Sequence, residues 1–185
     1  MINVLSAIHP LSGKFKEAVE RETILLSLPK NYHLLEAPKI SDHLYFLDSG
    51  FAMSYSYVNG EKKVDTFWRS GHIVMSPKSF FEQVPSLEYI QLMEACVILC
   101  VSHQRVMKLF DEFSEANFIY RVVINRYLEQ CKEKFRDMLQ LSAEQRHGKL
   151  LKAYPRIEQI VSQEYIASYL GITPQSLSRI KRKRN

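Results

Sequence analysis

The side chains best suited to chemistry crowd the end of this chain. Thr173, Gln175, Ser176, Ser178, Arg179, Arg182, Lys183 and Arg184 supply hydrogen-bond donors and cations, and no carboxylate follows Glu164. A guanidinium such as Arg179 can pair bidentately with guanine and a carboxamide such as Gln175 with adenine, each pair discriminating by about 1–3 kcal/mol. Ser162, Thr173, Lys183 and Arg184 are placed to meet phosphates, contacts that position a protein without specifying sequence. Both tasks need these residues on one face of one helix, and the spacing provides it. Ser162 caps a short helix over 163–169, and Gly171 stands where a sharp turn needs positive φ. Thr173-Pro174 opens a second helix, with Thr as N-cap and Pro at the first position. The face left free then shows Gln175, Ser176, Ser178, Arg179 and Arg182. Apolar residues at Ile166, Leu170, Ile172, Leu177 and Ile180, with small Ala167 where the helices cross, complete the pattern of a helix-turn-helix.

The charge of the chain points the same way. The formal net charge is +5, and Arg179, Lys181, Arg182, Lys183 and Arg184 supply that excess alone, so residues 1–178 are formally neutral. One basic patch on a neutral body implies a polyanion met at one place. Catalysis finds no such support. His9, His33, His43, His72, His103 and His147 lack paired metal-ligand spacing, and no nucleophile elbow, phosphate-cradling loop or H-E-x-x-H occurs. A cupin-like barrel enzyme is the weaker alternative, and no catalytic residue or metal site is assigned. Cys96, Cys100 and Cys131 are odd in number and scattered, which does not make a disulfide framework. Cys96 and Cys100 read as core; Cys131 reads as a core or interface residue or as a redox-sensitive thiol. No apolar run reaches the roughly 20 residues of a bilayer span, and MINVLSAIHP lacks the features of a signal peptide. The expectation is a cytoplasmic protein with no membrane partner.

The rest of the chain must position the C-terminal unit. Leu11 to Leu28 reads as a helix, with Phe15, Val19, Ile24 and Leu28 at helical spacing and Pro29 closing it. From Tyr32 to Val101, short segments rich in Tyr, Phe, Val and Ile alternate with turn signals, over 43–51, 52–58, 64–68, 88–93 and 95–101. Asn59-Gly60 marks a two-residue hairpin. Strands so spaced suggest a small antiparallel barrel or roll. Beyond His103 the periodicity is helical again. Ser114 caps a long helix to about Gln140, whose stripe of Tyr120, Ile124, Tyr127, Cys131, Phe135 and Met138 suits packing on its own domain and on a second copy. Ser142 and Gln145 form a capping box for a helix ending at Pro155. The fold class is α+β: a roll with flanking helices over 1–113, a dimerisation helix over 114–141, and a helix-turn-helix domain over 142–185.

A roll, a long helix and a C-terminal helix-turn-helix in this order resemble the Crp/Fnr family of bacterial transcription regulators, over nearly the whole chain. The likeness rests on Leu44-Tyr45-Phe46-Leu47-Asp48-Ser49-Gly50, on Gly71-His72-Ile73-Val74, and on Ile166 to Thr173 with Leu177-Ser178-Arg179. It implies a cyclic-nucleotide-binding-like β-roll (a double-stranded β-helix) and a homodimer zipped by the long helix. The paired helix-turn-helix units would read a pseudo-palindrome in double-stranded DNA with half-sites roughly 34 Å apart. RNA polymerase is a further candidate partner.

Three departures change what the resemblance implies. Cyclic-nucleotide members carry Gly-Glu and, about ten residues on, Arg-Ser; ungapped counting from Gly71 gives Met75-Ser76 and Ser86-Leu87. Neither the ribose-binding carboxylate nor the phosphate-binding arginine stands there, so cyclic AMP is not the expected effector. The family's base-contacting pair on the long helix falls at Cys131-Lys132. Iron–sulfur members use a cysteine cluster near the N-terminus, whereas no cysteine precedes Cys96 here, which argues against an iron–sulfur cofactor. Members also follow the second helix with a β-hairpin wing, whose phosphate contacts the basic end is expected to replace. Met75, Ser76, Phe80, Phe81, Glu82, Gln83 and Ser86, with Tyr127 and Cys131 on the long helix, either line a redesigned effector pocket or are packed shut by Phe80 and Phe81. In the second case the roll contacts a protein partner rather than a small molecule.

Overall fold

The computed structural model describes residues 1–184, apart from the side chain of Arg184. In chain order the elements are α1 (Ile2–Ser6), α2 (Gly13–Glu22), β1 (Ile24–Leu28), β2 (His33–Leu35), β3 (His43–Ser49), β4 (Phe51–Val58), β5 (Glu61–Arg69), β6 (Ile73–Val74), α3 (Pro77–Glu82), β7 (Tyr89–Leu92) and β8 (Cys96–Ser102). The helices α4 (His103–Glu112), α5 (Ser114–Gln140), α6 (Ala143–Ala153), α7 (Ile157–Ile160), α8 (Gln163–Leu170) and α9 (Pro174–Arg184) follow.

The strands make two four-stranded antiparallel sheets, ordered β1-β8-β3-β6 and β2-β7-β4-β5. Alternation along the strands turns Leu47, Val74 and Ile98 of one sheet onto Ala52, Ile90 and Leu92 of the other, and these six are almost wholly buried. Asn59 and Gly60 join β4 to β5 with φ of 52° and 80°, the paired left-handed conformations of a hairpin whose twist matches its strands. Cys96 and Cys100 lie in the roll, where burial pushes the Cys100 thiol up to about 11.

The first helix is shorter than its periodicity suggests. α2 stops at Glu22, Thr23 is extended, and Ile24–Leu28 pairs antiparallel with Cys96–Cys100 instead of continuing the helix. Ile24 and Leu28, four apart, fit a helical stripe and, with Leu26 between them, an alternating strand as well, and the β8 edge offers backbone partners that decide between them. At the other end, α5 begins at Ser114 with Phe113 as its cap residue, so Ser114 is the first helical residue and not the cap. α6 carries the expected capping box between Ser142 and Gln145. Among the described residues no helix is long and apolar enough to cross a membrane.

Candidate nucleic-acid interface

The turn between α8 and α9 is built from local signals. Ser162 Oγ accepts from Tyr165 N at 3.4 Å at the start of α8. Gly171 ends that helix at φ 67°, and the Gly171 and Ile172 amides donate to Ser168 and Ala167 carbonyls at 3.0 Å. A Cβ at position 171 would lie 2.6 Å from the Met138 methyl, the movable end of a flexible side chain, so it is the positive φ that calls for glycine. Thr173 Oγ1 accepts from Ser176 N at 3.2 Å and opens α9. Ile166, Ala167, Leu170 and Leu177 are buried together, so core contacts fix the crossing of the two helices.

On the free side of α9, Gln175, Arg179, Arg182 and Lys183 are exposed and Ser178 is half-exposed. Ser162 and Thr173 stand exposed just before α8 and α9, where unpaired backbone N–H groups favour anions. Ser176 is drawn toward the cap, accepting from the Thr173 hydroxyl at 3.1 Å. The Arg184 side chain, expected to contact phosphate, lies outside the described residues. Lys181 is turned away: its Nζ meets Glu158 Oε1 at 3.1 Å. The same oxygen is 3.3 Å from Nε2 of buried His147, at ion-pair distance but off the line of a hydrogen bond. Burial works against ionisation of Glu158, yet Lys181 and His147 hold its carboxyl below the usual range.

What α8 rests on has no signature in the sequence. β5 is an edge strand, and side chains from the helices occupy its free backbone groups. Ser168 Oγ accepts from Val64 N at 3.0 Å and donates to the Lys62 carbonyl at 3.1 Å. Tyr154 Oη donates to the Phe67 carbonyl at 2.9 Å and Lys134 Nζ to the Asp65 carbonyl at 2.6 Å. Lys62 Nζ reaches Tyr165 Oη at 3.3 Å and stands 4.3 Å from the Tyr55 ring centre. Beneath these bonds Met53, Val64 and Phe67 share one core with Leu150, Ile166 and Leu170. The helix-turn-helix is thus seated on the roll through strand-edge bonds and a common apolar core.

The stripe expected on α5 divides. Tyr120 packs on Phe81 and Phe110 at ring distances of 4.7 and 5.4 Å, and Ile124 joins the Phe80 and Val106 cluster. Tyr127, Cys131 and Met138 line a cleft of about 320 Å³ between α5, β5, α6 and α8. Tyr120 and Ile124 therefore pack on their own chain, Tyr127, Cys131 and Met138 stay exposed along the cleft, and Phe135 is 67% exposed. The outward apolar residues are Phe118, Leu128, Phe135 and Leu139, about 100° round the helix from the Tyr127–Cys131 side.

No family model and no curated protein matches the sequence. Solved structures do match in fold. FixK2 from Bradyrhizobium japonicum has a TM-score of 0.76 at 14% identity, over 87% of this chain and 83% of that one. A transcriptional regulator of the crp/fnr family from Eubacterium rectale gives 0.75 at 13%, over 94% and 83%. The c-di-GMP responsive global regulator CLP of Xanthomonas campestris gives 0.73 at 16%, over 93% and 91%. The fold is that of the Crp/Fnr regulators.

Within this Crp/Fnr fold the nine residues set down as an effector pocket do not share one cavity. Phe80 is fully buried, edge-on to Phe81 at 5.0 Å, and packs with Met75, Val101 and Val106. Ser76 Oγ donates to Glu88 Oε1 at 2.6 Å, and Ser86 Oγ to the Glu88 carbonyl at 3.0 Å. Glu82 and Gln83 are exposed, Gln83 closing α3 by donating to the Phe80 carbonyl at 2.7 Å. Tyr127 and Cys131, on the same side of α5 as Tyr120 and Ile124, line the cleft toward β5, α6 and α8 instead. The segment is filled by its own aromatic rings, and the acid that Ser76 and Ser86 hold, Glu88, is pushed by burial above the ordinary carboxylate range.

Proposed function

We propose that this chain is a sequence-specific DNA-binding transcription regulator that works as a homodimer and carries out no catalysis. The observation that carries the reading is the free face of α9, where Gln175, Arg179, Arg182 and Lys183 project beyond a capped turn and no carboxylate follows on the helix. Gln175 and Arg179 suit base edges, and Arg182, Lys183, Ser162 and Thr173 suit phosphates.

Dimerisation is supported by the outward side of α5. Phe118, Arg121, Asn125, Leu128, Lys132, Phe135 and Leu139 are all exposed and follow one another by alternating steps of three and four, the repeat of a two-stranded coil. Asn125 at a core position of that repeat favours a parallel pair in one register, which would set two α9 helices side by side. Cyclic AMP does not suit the roll, because half-buried Glu88 on Ser76, when ionised, would repel a phosphate. Closure of the same segment by Phe80 supports the second reading, in which the outside of the roll meets a protein partner.

Selection of preferred duplexes from a random pool tests the reading directly. A two-fold symmetric motif with half-sites one helical turn apart and steep salt dependence is expected. An asymmetric or salt-insensitive product would overturn it. In the same assay Arg179→Ala should relax preference at one position of each half-site, at a cost of about 1–3 kcal/mol.

A further inference from the structure

Beneath α9 a titratable ring is shut into a largely apolar core. His147 on α6 is 2% exposed, and Leu150, one turn along the same face, packs with Ile166, Ala167, Leu170 and Leu177. The His147 Nε2 makes no hydrogen bond, although Glu158 Oε1 of α7 lies 3.3 Å away. On a neutral ring with its proton on Nδ1, the Nε2 lone pair faces that carboxylate oxygen, and a second proton turns the repulsion into a charge-assisted contact. The same oxygen takes Lys181 Nζ of α9 at 3.1 Å. Among the described residues no other charged side chain stands at ion-pair distance from these three. Arg146, next to His147, is turned to the Leu141 and Leu170 carbonyls at 2.6 and 3.0 Å. While the imidazole is neutral, the charges of Glu158 and Lys181 cancel.

We propose that His147, Glu158 and Lys181 form a proton-operated latch: His147 takes up a proton against Glu158, which leaves one net positive charge under α9 and strengthens the hold of that helix on DNA. Imidazole is the side chain whose charge changes between pH 5 and 8. A buried imidazolium needs a counter-charge, and Glu158 is built to supply it. Burial opposes the charge of Glu158, yet Lys181 and His147 hold its carboxyl below the usual range, so it stays ionised throughout that interval. Shared between two cations, the oxygen holds Lys181 less tightly. A polyanion favours the protonated cluster, and by linkage the protonated cluster favours the polyanion. The effect on DNA rests on the regulator reading; the protonation does not.

Carbon-13 NMR of the full chain, labelled at its glutamate carboxyls and free of DNA, separates the two. The Glu158 resonance, assigned by its loss in Glu158→Gln, should move in one step between pH 5 and 8, above its own titration. His147→Gln should abolish that step. No step, or a step that persists in His147→Gln, defeats the proposal. On a duplex from the random-pool selection, wild-type affinity should rise as pH falls through the same interval, by about threefold or more beyond any rise in His147→Gln. Glu158→Gln, at an exposed helix position, keeps the ring and removes its counter-charge, and should lose the same excess. Parallel pH profiles in the three proteins would sever the latch from DNA binding and overturn the proposal. If the carboxyl step appears but the random-pool selection yields no motif, the proton site stands and the regulator reading falls.

Discussion

Lys181→Ala and Lys183→Ala remove the same charge from α9, two residues apart, yet they should act differently on DNA. Each phosphate neutralised contributes about 0.9 to the slope of log K against log salt. Lys183 is exposed, so Lys183→Ala should flatten the slope by about 0.9. Between about 50 and 200 mM salt one such contact is worth roughly a 3.5-fold change in affinity, so the deficit of this variant shrinks as salt rises. Lys181 is already matched by Glu158 at 3.1 Å and contributes little to the field at the DNA. Its removal should leave the slope nearly unchanged. Glu158→Gln is isosteric and releases Lys181, and should steepen the slope by at most about 0.9. Anisotropy titrations of a labelled duplex across a salt series give all three slopes, with circular dichroism checking that each variant folds. Equal flattening by Lys181→Ala and Lys183→Ala would show that charge count rather than pairing governs this helix, and the reasoning would be refuted.

Three further outcomes are expected. Leu128→Glu with Phe135→Glu should give a monomer by sedimentation and weaken binding to a full site by about tenfold or more, whereas Cys131→Ser, on the cleft and off the seam, should leave the proposed dimer intact; an unchanged mass for the double variant rejects the seam. Ser168→Ala strips two hydrogen bonds from the β5 edge and should cost about 1–3 kcal/mol, a fall in Tm of roughly 2–12 °C with faster exchange of the Val64 amide. Neither change would mean that Ser168 does not seat α8. Glu88 is raised by burial, so its folded form holds a proton more tightly than the unfolded chain and its charge costs stability above the folded pKa. Glu88→Gln should therefore raise Tm at pH 7, by an amount that shrinks as pH falls toward the ordinary carboxylate range; a gap that widens instead would refute the assignment.

Features legible in the sequence are those whose causes lie within a few residues. Asn59-Gly60, the Ser142 capping box, and the Ser162, Gly171 and Thr173 boundaries each depend on a side chain and a backbone group no more than four positions apart. Ile24–Leu28 depends on Cys96–Cys100, and no local pattern names that partner. Ser168 illustrates the same limit at the candidate site. A serine on a helix is unremarked until the topology leaves β5 as an edge with open backbone groups beside it.

α5 carries two apolar stripes of different composition. The stripe with the greater apolar density packs against its own chain at Tyr120 and Ile124 and borders the cleft, still exposed, at Tyr127, Cys131 and Met138. The outward seam carries Arg121, Asn125 and Lys132 between its apolar residues, so hydropathy alone ranks it second. That dilution is what a reversible pairing surface requires, since polar core positions fix register at a cost in stability. A monomer that exposed four unbroken apolar layers would be prone to unspecific association. On the proposed homodimer, density of apolar residues marks the face turned toward one chain, and the alternation of three and four, kept even through charged positions, marks the face that would be offered to a second copy.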